Sequence, residues 1–157
     1  MNFSAPLALP SGFTLPSRVI LSPMEGVMTP PFVRAANLLK LTDLWLTPFL
    51  SVTGSVPSPS VLRKRLLPYT ESGLPVIVQL IGRDPDALTE CAVSLEQSGI
   101  RAVNLNLACP SPTVTAHGAG GGYSRGGGWW DGCAFPLREQ CHLRRLPWAL
   151  PGLLHGV

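Results

Sequence analysis

An α/β fold built on a parallel sheet is predicted by three features of this 157-residue sequence. Short apolar runs recur near Val19, Trp45, Ile77 and Val103, and segments with helical apolar spacing separate them. Such alternation sets the strands parallel, with right-handed crossovers. The residues that carry chemistry fall where strands end, as in folds that bind ligands at the carboxyl edge of a sheet. No GxGxxG follows the first run, so the mark of a dinucleotide-binding doubly wound sheet is missing, although an open sheet of that kind remains the alternative.

Residues 1–17 form an extended lead-in. Three prolines break it and it has no basic start, so it does not read as a secretory signal. Val19-Ile20-Leu21 is the first strand, and it feeds a tight loop at Ser22-Pro23-Met24-Glu25-Gly26. Pro30 and Pro31 open a helix, where a missing N–H costs nothing. Phe32, Val33, Ala36 and Leu39 give that helix its core face, with Arg34 and Lys40 off it. Leu44 to Leu50 is the second strand. Pro48 removes a ladder donor there, which suits a strand end or a bulge.

Val61 to Pro68 places Val61, Leu62, Leu66 and Leu67 around Arg63-Lys64-Arg65, a short amphipathic helix with a solvated basic face. Val76 to Leu80 is the clearest buried strand. Gln79 interrupts it with an amide, and an unsatisfied buried polar group costs about 1–3 kcal/mol, so that amide must find a partner. A backbone contact near the strand end is the plainest candidate. Asp84-Pro85-Asp86 reads as an N-cap, a first-turn proline and a first-turn acid. Leu88, Cys91, Ala92 and Leu95 follow at helical spacing, and Gly99 closes the helix. Cys91 therefore belongs to a packed face.

The stretch from Ala102 to Gly120 organises the rest. Val103, Leu105 and Leu107 alternate with Asn104 and Asn106, so the two asparagines share one face of a fourth strand. The chain leaves the sheet at Cys109, and Pro110 restrains the backbone of the residue before it. Cys109 is thus either a thiol offered to a ligand or a buried structural cysteine.

The run Asn106-Leu107-Ala108-Cys109-Pro110-Ser111-Pro112-Thr113-Val114, followed by His117-Gly118, resembles the signature of the flavin-dependent tRNA-dihydrouridine synthases. The resemblance implies an oxidoreductase in which Cys109 is the catalytic acid, protonating C5 of a uracil while reduced FMN passes a hydride to C6. A thiol suits that task, because with a pKa of about 8.5 most of it is protonated near neutrality. Asn106 would lie at the substrate. Pro23, Met24 and Glu25 match the loop after the family's first strand, and Gln79 with Gly82 matches a Gln-Leu-x-Gly motif, so these four residues, Pro23, Met24, Glu25 and Gln79, are the flavin-contact candidates. The implied cofactors are FMN and NADPH, and the implied partner is tRNA with its uridine taken out of the stack; the cysteine pattern, with no disulfide framework, reads as reduced thiols in a cytoplasmic chain. The implied fold is a TIM (β/α)8 barrel of which this chain supplies about the first four strands. Three positions depart from the family pattern: Ala108 replaces a glycine, Asn104 replaces an aspartate, and no glutamate stands near Pro48.

Composition bears on partners and boundaries. A net charge of +3 is too small to imply nucleic-acid binding by itself. Cysteines at 91, 109, 133 and 141 form no CxxC pair, so neither a zinc site nor a disulfide framework is expected. No apolar run reaches the roughly 18 residues that span a bilayer. The resemblance runs from about Val19 to Gly120. Residues 118–157 hold ten of the sixteen glycines, three of the four tryptophans and no lysine.

Two units are therefore expected: 1–117 as the N-terminal part of a flavin-binding barrel, and 118–157 as an irregular tail. The tail reads as a shifted frame or an alternative terminal exon, with a genuine functional tail as the alternative. A whole barrel takes about 250 residues, with its phosphate site after strands 7 and 8. Three functions follow: a tRNA-dihydrouridine synthase, another FMN barrel acting on a small pyrimidine, or a non-catalytic fragment or interaction protein.

Overall fold

The computed structural model describes residues 5–8, 13–53 and 55–121. The described residues fold into ten elements: β1 (Leu7–Ala8), β2 (Thr14–Leu15), α1 (Pro30–Leu38), β3 (Trp45–Leu46), β4 (Leu50–Val52), α2 (Pro59–Thr70), β5 (Val76–Gly82), α3 (Pro85–Gln97), β6 (Ala102–Leu105) and α4 (Pro112–Thr115). Of the tail, only Gly118 to Gly121 are described. None of the described helices is long and apolar enough to cross a membrane.

The sheet is parallel, as the alternation of elements requires. β5 is its centre: all seven residues are buried, β3 and β4 pair along one side and β6 along the other. β3 and β4 are two pieces of one strand line. Trp45 pairs with Val76 and Leu50 with Leu80, so five steps along one strand oppose four along its partner. That extra residue is a bulge, and it falls where Pro48 has no N–H to give. The ladder holds as far as Thr47, whose N–H donates to the Ile77 carbonyl at 3.0 Å.

Alternation along β5 divides the core. Val76, Val78 and Leu80 face the helices, packing with Val33 and Ala36 of α1, Leu62, Leu66 and Tyr69 of α2, and Leu88, Cys91, Ala92 and Leu95 of α3. Ile77 faces the other way and joins Leu15, Leu44 and Ala102, beneath the β1–β2 hairpin. Trp45 and Tyr69 meet edge to face at 5.7 Å. Each aromatic also spends its polar end: Trp45 Nε1 donates to Ser72 Oγ at 3.0 Å, and the Tyr69 hydroxyl to the Met28 carbonyl at 3.2 Å.

The caps of α3 are those the sequence predicts. Asp84 accepts from the N–H groups of Asp86 and Ala87, and the Ile100 N–H returns to the Leu95 carbonyl after Gly99. Several other elements differ from expectation. Val19 to Leu21 is not a strand: the Val19 N–H donates to Ser17 Oγ at 3.1 Å instead of joining a ladder, and Val19 is 60% exposed. Ile20 and Leu21 nevertheless pack on opposite faces of the sheet.

The lead-in contains a short hairpin that its prolines concealed. α2 runs two residues past Pro68, and Val61 and Leu67 lie outside its core face. The sheet has three strand lines among the described residues, where four were expected, and it does not close.

α1 ends before Leu39, which is 69% exposed although its spacing placed it on the core face. Lys40 takes φ +53°, and the Leu41 N–H bonds the Ala36 carbonyl, a helix stop that ordinarily uses glycine. Lys40→Gly should therefore raise the urea midpoint of unfolding, by about 0.5–1 kcal/mol of stability. Gly82 gives the opposite expectation. A Cβ there would stand 2.5 Å from the Val52 carbonyl oxygen on the neighbouring strand, so Gly82→Ala should lower the midpoint by about 1–3 kcal/mol.

Candidate functional site

The face of the sheet opposite the helices carries the polar residues. Register places Gln79 of β5 directly beside Asn104 of β6. Two residues further along, Asn106 shares that face. Its own N–H continues the ladder, donating to the Leu80 carbonyl at 2.8 Å.

The three amides form one chain of hydrogen bonds. Gln79 Nε2 donates to Asn104 Oδ1 at 2.9 Å, and Asn106 Nδ2 donates to Gln79 Oε1 at 3.0 Å. The backbone N–H of Gln79 donates to Thr47 Oγ1 at 3.3 Å. Gln79 and Thr47 are buried, while Asn104 and Asn106 are half-buried. The amide that an apolar strand had to satisfy is thus met by two side chains from the β6 side, Asn104 and Asn106, and not by a backbone contact near the strand end, while Thr47 on the other side holds the Gln79 backbone.

From Asn106 the chain turns into the cysteine loop. Asn106 Oδ1 accepts from the N–H groups of Ala108 at 3.2 Å and Cys109 at 3.0 Å, a side-chain-closed turn of the kind asparagine favours. The following turn is α4, expected only as loop. It begins where Ser111 offers its carbonyl to Val114 and Thr115.

The chain then comes back. The Gly121 N–H donates to the Cys109 carbonyl at 2.9 Å, and Gly120, at φ +54°, sits so close that a Cβ would stand 2.8 Å from that carbonyl oxygen and 3.0 Å from Cys109 Cβ. Gly120 and Gly121, which fall beyond the boundary expected after residue 117, thus pack onto the cysteine.

Two thiols are described, and they differ. Cys109 is half-buried at the loop. Cys91 is fully buried on the core face of α3, and burial, with the Glu90 charge adding to it, pushes its pKa up to about 11.

The geometry thus brings Gln79, Asn106 and Cys109 together through Asn106. Pro23, Met24 and Glu25 are placed otherwise. Met24 packs against the helix-side core, its carbonyl accepting from the N–H groups of Val27 and Met28, and Glu25 is exposed. The Glu25 charge reaches Tyr69, whose pKa is raised by burial first and by Glu25 second, against an opposing Arg65. None of the three hydrogen-bonds Gln79, Asn106 or Cys109.

Thr47, Gly120 and Gly121 belong to the site but were not singled out from sequence. Only strand register could have found Thr47. The composition of the glycine stretch had assigned Gly120 and Gly121 to the tail. No group of three or more His, Cys, Asp or Glu among the described residues could hold a metal ion.

The contrast between the thiols is directly measurable. Near pH 8, a thiol with a pKa of about 11 is thiolate to about one part in a thousand. Iodoacetamide should modify Cys109 and leave Cys91 intact in the folded chain. Because burial disfavours the charged form, Cys91 should begin to react only as the pH climbs toward 11. Peptide mass spectrometry separates the two sites.

Comparison with known proteins bears on what this loop is. A family model described as "Dihydrouridine synthase (Dus)" matches residues 20–123. The chain is similar to the tRNA-dihydrouridine(16) synthase of Haemophilus influenzae, at 40% identity over 112 residues, which cover 67% of this chain and 35% of that protein. It is also similar to the tRNA-dihydrouridine(16) synthase of Vibrio vulnificus, at 37% identity over 103 residues and 62% and 32% coverage. The enzyme of the same name from Pasteurella multocida is 37% identical over 113 residues, with 68% and 35% coverage. The chain thus spans about a third of the length of these curated relatives. With a match over two thirds of its own residues, among them the amide chain and the cysteine loop, this chain belongs to the dihydrouridine synthase family.

Proposed function

We propose that this chain carries the thiol and amide portion of a tRNA-dihydrouridine synthase, an oxidoreductase that reduces a uridine of tRNA to dihydrouridine with FMN and NADPH in the cytoplasm. The observation that supports it most is the Asn106 side chain, which joins the proposed flavin-side amide of Gln79 to the backbone of Cys109. The relatives' names point to position 16 of tRNA as the substrate uridine.

The amide chain fits a flavin. Gln79 keeps one Nε2 hydrogen after donating to Asn104, and Asn104 Nδ2 has no partner among the described residues. Donors of this kind suit the carbonyl-bearing pyrimidine edge of an isoalloxazine, and Pro23, Met24 and Glu25 are the further residues proposed to line it. When bound, reduced FMN supplies the hydride to uracil C6, with NADPH as the reductant.

The chain's own part is to hold and deliver a proton. Cys109 Sγ carries it to C5, and the loop bonds on either side of the cysteine hold the backbone from which the thiol projects. Asn106 offers its remaining Nδ2 hydrogen to the substrate.

A specific observation also keeps the non-catalytic fragment in view: the sheet does not close among the described residues, and the chain covers about a third of its relatives. Titration of the purified chain with FMN separates the two. Saturable flavin binding, weakened in Gln79→Leu, supports the enzyme, and a colourless chain supports the fragment. With unmodified tRNA and NADPH, Cys109→Ala should lose about 10²–10⁴-fold in dihydrouridine formation while still binding flavin. An unchanged rate would remove Cys109 as the acid. A higher rate on free uridine than on tRNA would favour the small-pyrimidine reading.

A further inference from the structure

We propose that Asn106 is the positioning residue of Cys109, its side chain locking the thiol loop to the buried amide of Gln79 so that the two move as one body. This rests on the function proposed above for Cys109 and Gln79. An asparagine side chain has two acceptor lone pairs and two donor hydrogens. Asn106 spends both lone pairs on the loop, one on the Ala108 N–H at 3.2 Å and one on the Cys109 N–H at 3.0 Å. It spends one hydrogen on Gln79 Oε1 at 3.0 Å, and its backbone N–H is fixed to Leu80. Three of its four side-chain capacities therefore serve the protein, and a single hydrogen is left over.

The other side of Cys109 is closed as well. Its carbonyl accepts from Gly121, and the approach of Gly120 leaves no room for a Cβ between the returning chain and the cysteine. With N–H and C=O both held, the thiol keeps little freedom beyond rotation about χ1. A shift of Gln79 reaches Cys109 through one side chain, with no intervening contact. Misplacement of a reacting group by about 1 Å can cost about 10²-fold in rate, so a link of this kind bears on turnover more than on binding.

Hydrogen exchange on the full chain tests the lock without relying on activity. In Asn106→Ala the amides of Ala108 and Cys109 should exchange at least about tenfold faster, while those of Val78 and Leu80 keep their protection. Asn106→Asp, which retains an acceptor oxygen for the loop but cannot donate to Gln79, should restore protection at Cys109 only in part, and full restoration would show that the bond to Gln79 adds nothing to the lock. With unmodified tRNA, Asn106→Ala should lower kcat about 10²-fold, a larger change than the rise in KM that loss of its Nδ2 hydrogen to the substrate brings.

Unchanged exchange at Cys109, or acceleration spread evenly along β5, would overturn the proposal, as would a failure of Asn106→Asp to protect the loop. The arms also separate the two readings. A chain that shows the exchange pattern but never reduces tRNA retains the lock and loses the function. A chain that reduces tRNA with Cys109 equally protected in every variant loses the lock alone.

Discussion

The structure depends on one buried amide. Gln79 stands in the middle of a strand whose other residues are apolar apart from a terminal glycine, and its side chain cannot be left unpaired without a cost of about 1–3 kcal/mol. The register of β5 against β6 meets that demand, setting Asn104 directly opposite with its Oδ1 at 2.9 Å. It also fixes where the chain leaves the sheet, since Asn106 must stay on the same face to reach Gln79 Oε1. A slip of one residue in β6 would turn both asparagines toward the apolar helix side. Stability and site geometry thus draw on the same hydrogen bonds.

The two faces of β5 divide the labour. The helix-side face is an ordinary packed core, where Cys91 is kept neutral by burial and the polar ends of Trp45 and Tyr69 are hydrogen-bonded to Ser72 and Met28. The opposite face is apolar at the end covered by the β1–β2 hairpin, where Ile77 meets Leu15, Leu44 and Ala102, and again at buried Ile81 past Gln79. It is polar at Thr47, Gln79, Asn104 and Asn106. These amides form one polar band on an otherwise apolar face, beside the patch that the hairpin covers.

Much of this was legible before any coordinates. The alternation of apolar runs with helical spacing gave the parallel sheet, and Asp84 and Gly99 marked the limits of α3 because capping chemistry is local. The placement of Asn104 and Asn106 on one face followed from strand period alone. What sequence could not show was non-local. Val19 to Leu21 has the composition of a strand, yet it pairs with nothing, because pairing depends on a neighbour far along the chain. Leu39 has the spacing of a core residue but falls one step beyond the helix stop at Lys40. The partners of Gln79 are 25 and 27 residues away, and no local rule names them.

The return of the chain from α4 to the cysteine has a consequence for synthesis on the ribosome. The carbonyl of Cys109 finds its partner only once Gly121 is present, twelve residues later in translation. Until then the thiol sits on a half-tethered segment, held at its N–H side alone. A nascent polypeptide paused in this interval would hold the cysteine backbone from one side only, so the setting of this side chain is among the last features of the described fold to be completed.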